Sequence, residues 1–255
     1  MSSWKNNNTL ESRRLVEEVL NPPKKIRKSR KVVAKNGIHL RKLIEKRIKE
    51  FGPNCDLNDI DVSRVTNMRG LFHEVEFNGD ISRWDVSNVE DMGWMFAESK
   101  FTGDISNWDV SGVESMDWMF ADSEFDGDIS KWDVSRARDM ASMFYDSEFN
   151  GDISNWNVSR VRFMDHMFYD SKFNGDISKW DVSNAWDMGW MFAFSEFNGD
   201  ISKWDTSNAE DMGLMFYGSN FKGDISNWNI SKVVDMRDMF VDSPLRGKEP
   251  SWYRE

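Results

Sequence analysis

The chain has 255 residues, 39% of them hydrophobic, with 13 Trp, 16 Met, 18 Phe, one cysteine (Cys55) and a net charge of −11. A single cysteine excludes an intrachain disulfide, and no apolar run reaches the roughly 18–20 residues needed to cross a bilayer. The charge is divided: residues 1–52 carry 15 Lys and Arg against 5 Asp and Glu, a net +10, which leaves −21 on the rest.

The first residues, M-S-S-W-K-N-N-N-T-L-E, hold no apolar core of a secretory signal, so a cytoplasmic location is expected. Residues 1–37 form a basic arm. Residues 11–20 have the spacing of a short amphipathic helix, and Pro22–Lys35 reads P-P-K-K-I-R-K-S-R-K-V-V-A-K, a charged linker. The sharper reading is a weak nucleic-acid contact through residues 1–52. Residues 38–52 form the next element: Leu40, Leu43, Ile44 and Ile48 fall at helical spacing over His39–Phe51, and Gly52-Pro53 ends the run. The spacing predicts a helix that caps the segment starting at Pro53.

From residue 53 to 244 the chain repeats itself. Phe77, Phe101, Phe125, Phe149, Phe173, Phe197 and Phe221 each open a unit close to F-N-G-D-I-S-x-W-D-V-S-x-V-x-D-M-x-x-M-F-x-x-S-x, without insertion or deletion. Pro53–Glu76 is a worn copy, with Leu57, Ile60, Val62, Val65, Met68 and Phe72 in register, which makes eight 24-residue coils. In each, Trp84 and Val86 alternate with polar Arg83 and Asp85 and predict a short strand. Val89, Met92, Met95 and Phe96 fall on one helical face after Ser87, a good N-cap, and predict a short helix. Glu90 completes a capping box with Ser87, as do Glu114 and Glu210 in their units. One unit cannot bury its apolar side, but stacked copies can. The expected fold is therefore an α/β solenoid, a leucine-rich-repeat-like stack with an N-terminal helical cap. Residues 245–255 break the repeat and, with Trp252 and Tyr253, are expected to fold over the last coil.

The string G-D-I-S-x-W-D-V-S-x-V-x-x-M-x-x-M-F resembles the BspA-like leucine-rich-repeat family, whose repeats are also called the mycoplasma lipoprotein-associated type. The resemblance covers about Pro53–Pro244, and Ile38–Ser63 resembles the family's usual N-terminal segment. It implies a non-catalytic binding protein, often displayed on cell surfaces, so an adhesin-like surface module is an alternative to a cytoplasmic one.

Chemistry is sparse. The histidines are His39, His73 and His166, and no P-loop, dinucleotide fingerprint or zinc spacing occurs. Cys55 lacks a basic partner in the sequence and reads as a half-buried structural residue. Two ladders of carboxylates recur, one from Asp56 and Asp80 to Asp224, the other at Asp85, Asp109, Asp133, Asp181 and Asp205 with Asn157 and Asn229 interrupting it. Calcium is one reading of such ladders. Acceptance of backbone N–H bonds at turns is the stronger one, with Arg83, Lys131, Lys179 and Lys203 neutralising the second ladder across the strand. No catalytic residue, cofactor or metal is assigned.

Function is expected where units differ on an outer face. Helical geometry turns the positions of residues 90 and 94 outward. Trp186, Trp190 and Phe194 then form one stripe, with Phe163, His166 and Leu214 on adjoining coils and Trp94 and Trp118 further along. Such aromatics predict a non-enzymatic scaffold that binds another protein. The alternative in a different class is an acidic mimic of nucleic acid that occupies a basic groove.

Overall fold

The computed structural model describes residues 31–254; the predicted helix over residues 11–20 and most of the basic arm lie outside them. The repeats lie in one compact unit, residues 33–255. Short β1 (Val32–Val33) pairs with β2 (Ile60–Asp61), between which runs α1 (Gly37–Phe51). Asn36 caps α1, its side chain accepting the His39 N–H, and Gly52 closes it at φ 89° with its N–H on Ile48 O. Leu40 and Ile44 are fully buried in the core, while Leu43 and Ile48 pack against it. Arg41 donates to Gly70 O at 2.8 Å and to Leu71 O at 2.9 Å.

That second bond satisfies an end. From residue 67 onward the chain is a tandem repeat paired with itself at a register of 24: parallel bridges join Asn67, Asp91, Ser115, Asp139, Phe163, Asp187, Asp211 and Asp235 in order. Within this pairing alternate N–H groups reach the next unit: Met92 to Ser115 O, Trp94 to Asp117 O, Phe96 to Met119 O and Glu98 to Ala121 O, at 2.8–3.0 Å. Leu71 O occupies the acceptor position of Met95 and Met119 but has no preceding unit, and Arg41 takes its place. The intervening N–H groups turn back within their own unit, Met95 to Met92 O and Ala97 to Trp94 O, both at 3.2 Å.

This arrangement corrects the expected helix. An α-helix needs every N–H on the carbonyl four residues back and every φ negative. Here half the N–H groups belong to the neighbour, and two positions per unit are left-handed, for example Trp94 (φ 59°) and Glu98 (φ 52°). Three-residue turns place Val89, Met92, Met95 and Phe96 on one buried side without a helix. The capping box does not form: Ser87 donates through both N–H and Oγ–H to Asp85, and Glu90 N–H bonds Thr66 O in the preceding unit. Nor is there a strand at Trp84–Val86. Trp84 N–H returns to Ile81 O at 3.1 Å, a turn, and Ser82 and Ser87 are tied to Asp80 and Asp85. The alternation of Trp and Val therefore comes from successive turns.

The core is one cluster running from Ala34 to Phe240. Each ladder Phe stacks on two rings of the next unit, as in Phe96–Phe101 at 4.5 Å and Phe96–Phe120 at 5.7 Å. Each Phe that opens a unit folds its ring over the glycine two residues on: a Cβ at Gly127 would lie 2.7 Å from the Phe125 ring. The ladder tryptophans bury their indoles and donate Nε1–H to the isoleucine carbonyl one unit back, Trp108 to Ile81 and Trp204 to Ile177, at 3.2 and 3.1 Å. The C-terminal segment breaks the sequence repeat but keeps this position: Trp252 donates to Ile225 O at 3.0 Å, and Tyr253 sits edge-on to Phe240.

Candidate functional site

The left-handed positions carry the functional interest. A non-glycine residue there costs about 1–2 kcal/mol, and glycine, Asn or Asp fit best. The first such row runs Gly70, Trp94, Trp118, Ser142, His166, Trp190, Leu214 and Asp238; the second runs Glu74, Glu98, Asp122, Asp146, Asp170, Phe194, Gly218 and Asp242. Bulky aromatics at five of these positions are strain that the fold does not require, and such strain points toward function.

These aromatics join into one ribbon. His73 meets Trp94 edge-on at 5.5 Å, Trp94 stacks on Trp118 at 4.7 Å, and Trp118 leans on Tyr145 at 5.3 Å. Tyr145 stacks on Tyr169 at 4.6 Å, and His166 stacks on Trp190 at 5.7 Å. Tyr169, Phe194 and Tyr217 then close the far end with edge-on contacts of 5.4 and 5.2 Å. The Trp rings are half-buried and Phe194 is 43% exposed. A groove of about 380 Å³ opens among Trp118, Tyr145, Asp165, His166, Tyr169 and Trp190.

The expected single stripe of Trp186, Trp190 and Phe194 does not form, because no helix carries it. Trp190 and Phe194 belong to the ribbon, together with Trp94, Trp118 and His166. Trp186, 42% exposed, meets the ring of Phe163 edge-on at 5.3 Å in a separate patch, beside a groove of about 320 Å³ with Arg162, Glu210 and Lys232. Leu214 is half-buried and continues the first left-handed row without an aromatic ring. Sequence reasoning missed Tyr145, Tyr169 and Tyr217. Their signal was the position after the ladder Phe, where Ala97, Ala121 and Ala193 give way to Tyr.

Carboxylates flank the ribbon. On its inner side Asp91, Asp139, Asp187, Asp211 and Asp235 stand at the bridge positions, with Asp117 and Asp165 two residues further along their units. Arg69 lies across this row: its guanidinium grips Asp117 at 2.7 and 2.5 Å and reaches Asp91 at 3.5 Å. Burial works against the charge of Asp117, but the bonds from Arg69 and Ser115 win and hold it below the usual carboxylate range. Asp187 has the opposite fate. Burial first, then the charges of Asp165 and Asp211, push it up to about 6, against the pull of the Gly189 N–H and His166. On the outer side, burial and then Asp122 push Asp146 up, and burial followed by Tyr169 and nearby carboxylates raises Tyr145.

The two Asp ladders of the sequence serve the turns. Asp80, Asp104, Asp128 and Asp176 each accept the N–H of the serine two residues on, and bonds from these serines hold them below the usual carboxylate range, with Asn58 the first cause at Asp80. Lys131, Lys179 and Lys203 add to the lowering of Asp128, Asp176 and Asp200 of the first ladder, whereas at Asp133 and Asp205 of the second the lowering comes from Ser135 and Ser207 and not from the expected lysines. Cys55 is half-buried, and burial pushes its thiol up, away from reactivity. Among the described residues, His73, Glu74 and Glu98 bring ligand atoms within 4.8 Å of one another, a set suited in type to a divalent ion. No helix among the described residues is long and apolar enough to cross a membrane.

No curated protein and no solved structure matches the chain. The family described as "Mycoplasma protein of unknown function, DUF285" matches three times, over residues 40–148, 97–196 and 146–251, each match spanning several 24-residue units. Helix α1 from Leu40 onward, all eight units and most of the C-terminal segment fall within these matches, and the chain belongs to this family.

Proposed function

We propose that the units wind into a solenoid whose aromatic ribbon docks another protein, and that the chain is a non-enzymatic scaffold. One observation carries this reading: Trp94, Trp118, His166, Trp190 and Phe194 occupy strained left-handed positions and still form a continuous, partly exposed ribbon across successive units. Stacking needs no ring there, since Ser142 and Leu214 fill the same row and Gly218 fills the second. Large aromatics held rigidly at a surface are the usual anchors of protein interfaces. The resemblance of the G-D-I-S-x-W-D-V-S motif to BspA-like leucine-rich repeats supports the same reading, as does the parallel pairing at a register of 24.

The acidic rows favour a second reading, mimicry of nucleic acid toward a basic groove. The test captures proteins from a lysate with the whole chain and with a Trp118→Ala/Trp190→Ala variant of matched melting temperature. The scaffold reading expects a defined set of partners that survives about 0.5 M salt and is lost with the variant. Mimicry expects partners that fall away with salt and ignore the variant. Equal capture by both proteins at high salt would exclude the ribbon as the docking face.

A further inference from the structure

The face that holds Arg69 is repeated further along, without an arginine in it. Arg69 lies over Gly93: a Cβ at Gly93 would stand 2.2 Å from the Arg69 guanidinium, so glycine is what admits the group. Asp91 borders this bed at the side and Asp117 closes its end. Four units on, the same row of positions reads Asp165, Gly189, Gly213, Arg237. Here two successive glycines form the bed, Asp187 and Asp211 border it, and Asp165 closes it. Asp211 Oδ1 leans to 3.1 Å from where a Gly189 Cβ would sit and to 3.3 Å from that of Gly213.

Among the described residues, Asp165, Asp187 and Asp211 have no arginine paired with them as Asp117 has Arg69. Arg237, at its far end, grips Asp235 at 2.5 Å beside Gly213, is largely exposed, and feels the charge of Asp211 without pairing with it. Asp165 has only His166, at 3.2 Å, and no ion pair among the described residues engages Asp187 or Asp211. The wall beside the bed is aromatic: His166 stacked on Trp190, in the groove that Asp165 also lines. A planar cation flanked by carboxylates and an aromatic face suits guanidinium above all.

We propose that Asp165, Asp187 and Asp211, over Gly189 and Gly213, bind an arginine side chain of the docked partner, as Asp91 and Asp117 bind Arg69. This rests on the scaffold reading and names the chemistry of its partner. The charge on Asp187, crowded and partly desolvated, is what such a guanidinium would relieve.

The test uses the full chain and a fluorescein-labelled Gly-Arg-Gly-Arg-Gly peptide, followed by anisotropy, with a citrulline peptide as the neutral isostere. Asp187→Asn/Asp211→Asn removes two charges while keeping the turn acceptors, since Asn67 already holds the Arg69 N–H in that row. Gly189→Ala/Gly213→Ala fills the bed at unchanged charge, and Ala141 already occupies that row. Asp104→Asn/Asp128→Asn removes two charges elsewhere. The expected result is binding at least tenfold weaker for citrulline and for both bed variants, and within twofold of wild type for the distant pair. Equal weakening by the distant pair, or equal binding of citrulline, would reduce the effect to general acidity and overturn the site. If the Asp pair variant keeps the lysate partners while Trp118→Ala/Trp190→Ala loses them, the arginine site fails and the scaffold stands. Peptide binding without any captured partner would instead retain the site and sink the scaffold.

Discussion

The indole N–H of Trp180 donates to the carbonyl of Ile153, one unit back, at 3.1 Å, with the ring almost wholly buried. This bond sits away from the bridge positions where the backbones of neighbouring units pair, so the Trp ladder ties units together on a second side. Trp180→Phe should keep most of the apolar contact but remove one of the two N–H groups on Ile153 O, leaving the Trp156 N–H there at 3.1 Å, at a cost of about 0.5–1.5 kcal/mol. Trp180→Ala should cost about 3–5 kcal/mol because a cavity is added. Urea titrations with an unchanged slope check both figures. A Trp180→Phe protein as stable as wild type would mean that the bond contributes nothing.

Trp190 sits at φ 59° and is half-buried. Trp190→Ala and Trp190→Gly lose the same indole, but only Ala keeps the left-handed strain. Glycine should therefore be the more stable variant, by about 1 kcal/mol, although it is the worse residue in most regular structure. At Met191, which has no positive φ, the order should reverse. Thermal melts of the four variants read this directly, and Ala above Gly at both positions would remove the strain argument for the ribbon.

The period, the number of units and the identity of the core were legible because they depend on spacing alone: Ile81, Trp84, Val86, Val89, Met92, Met95 and Phe96 are all buried, as their recurrence suggests. Local structure was not. Turns of three residues reproduce the i, i+3 spacing of a helix, and Asp-Ser turns reproduce the alternation of a strand, so Val89–Phe96 and Trp84–Val86 misled for a physical reason. The aromatic residues of the site could be picked out as departures from the repeat. Their grouping could not, because it depends on left-handed backbone at Trp190 and Phe194 and on Tyr169 and Tyr217 between them.

Asp187 gives the fold a pH dependence of known sign. Its folded value, about 6, exceeds the ordinary carboxylate value near 4, so between these the folded state keeps a proton that the unfolded chain has released. Its contribution to stability therefore falls as pH rises from about 4 to 6, and the cost of the charged form remains at pH 7. Asp187→Asn should stabilise the protein at pH 7 by about 1 kcal/mol, the full shift being reduced because solvent screens part of the charge. The gain should vanish at pH 4. Urea titrations of both proteins at the two pH values test this, and a difference independent of pH would refute the assignment.

A deletion tests the repeat itself. Removing Phe125–Glu148 takes out 24 residues and joins Glu124 to Phe149, which then stands where Phe125 stood. Ser115 would pair with Phe163 as it now pairs with Asp139, and the Trp156 indole would find Ile105 O where it now finds Ile129 O. Every buried row closes again with one member fewer, because contacts in such a stack are between neighbours. Removing only Phe125–Arg136 instead brings Ala137 to the position of Phe125 and puts Met140 and Phe144 out of line with Met116 and Phe120. The Phe, Trp and Met rows are then interrupted, and polar residues face the core of the adjoining units. The 24-residue deletion should give a cooperative thermal melt within several degrees of the parent, and the shorter deletion a loss of cooperativity or of folding. Circular dichroism melts of the two proteins decide the matter, and equal tolerance of both deletions would show that the register of 24 does not organise the fold.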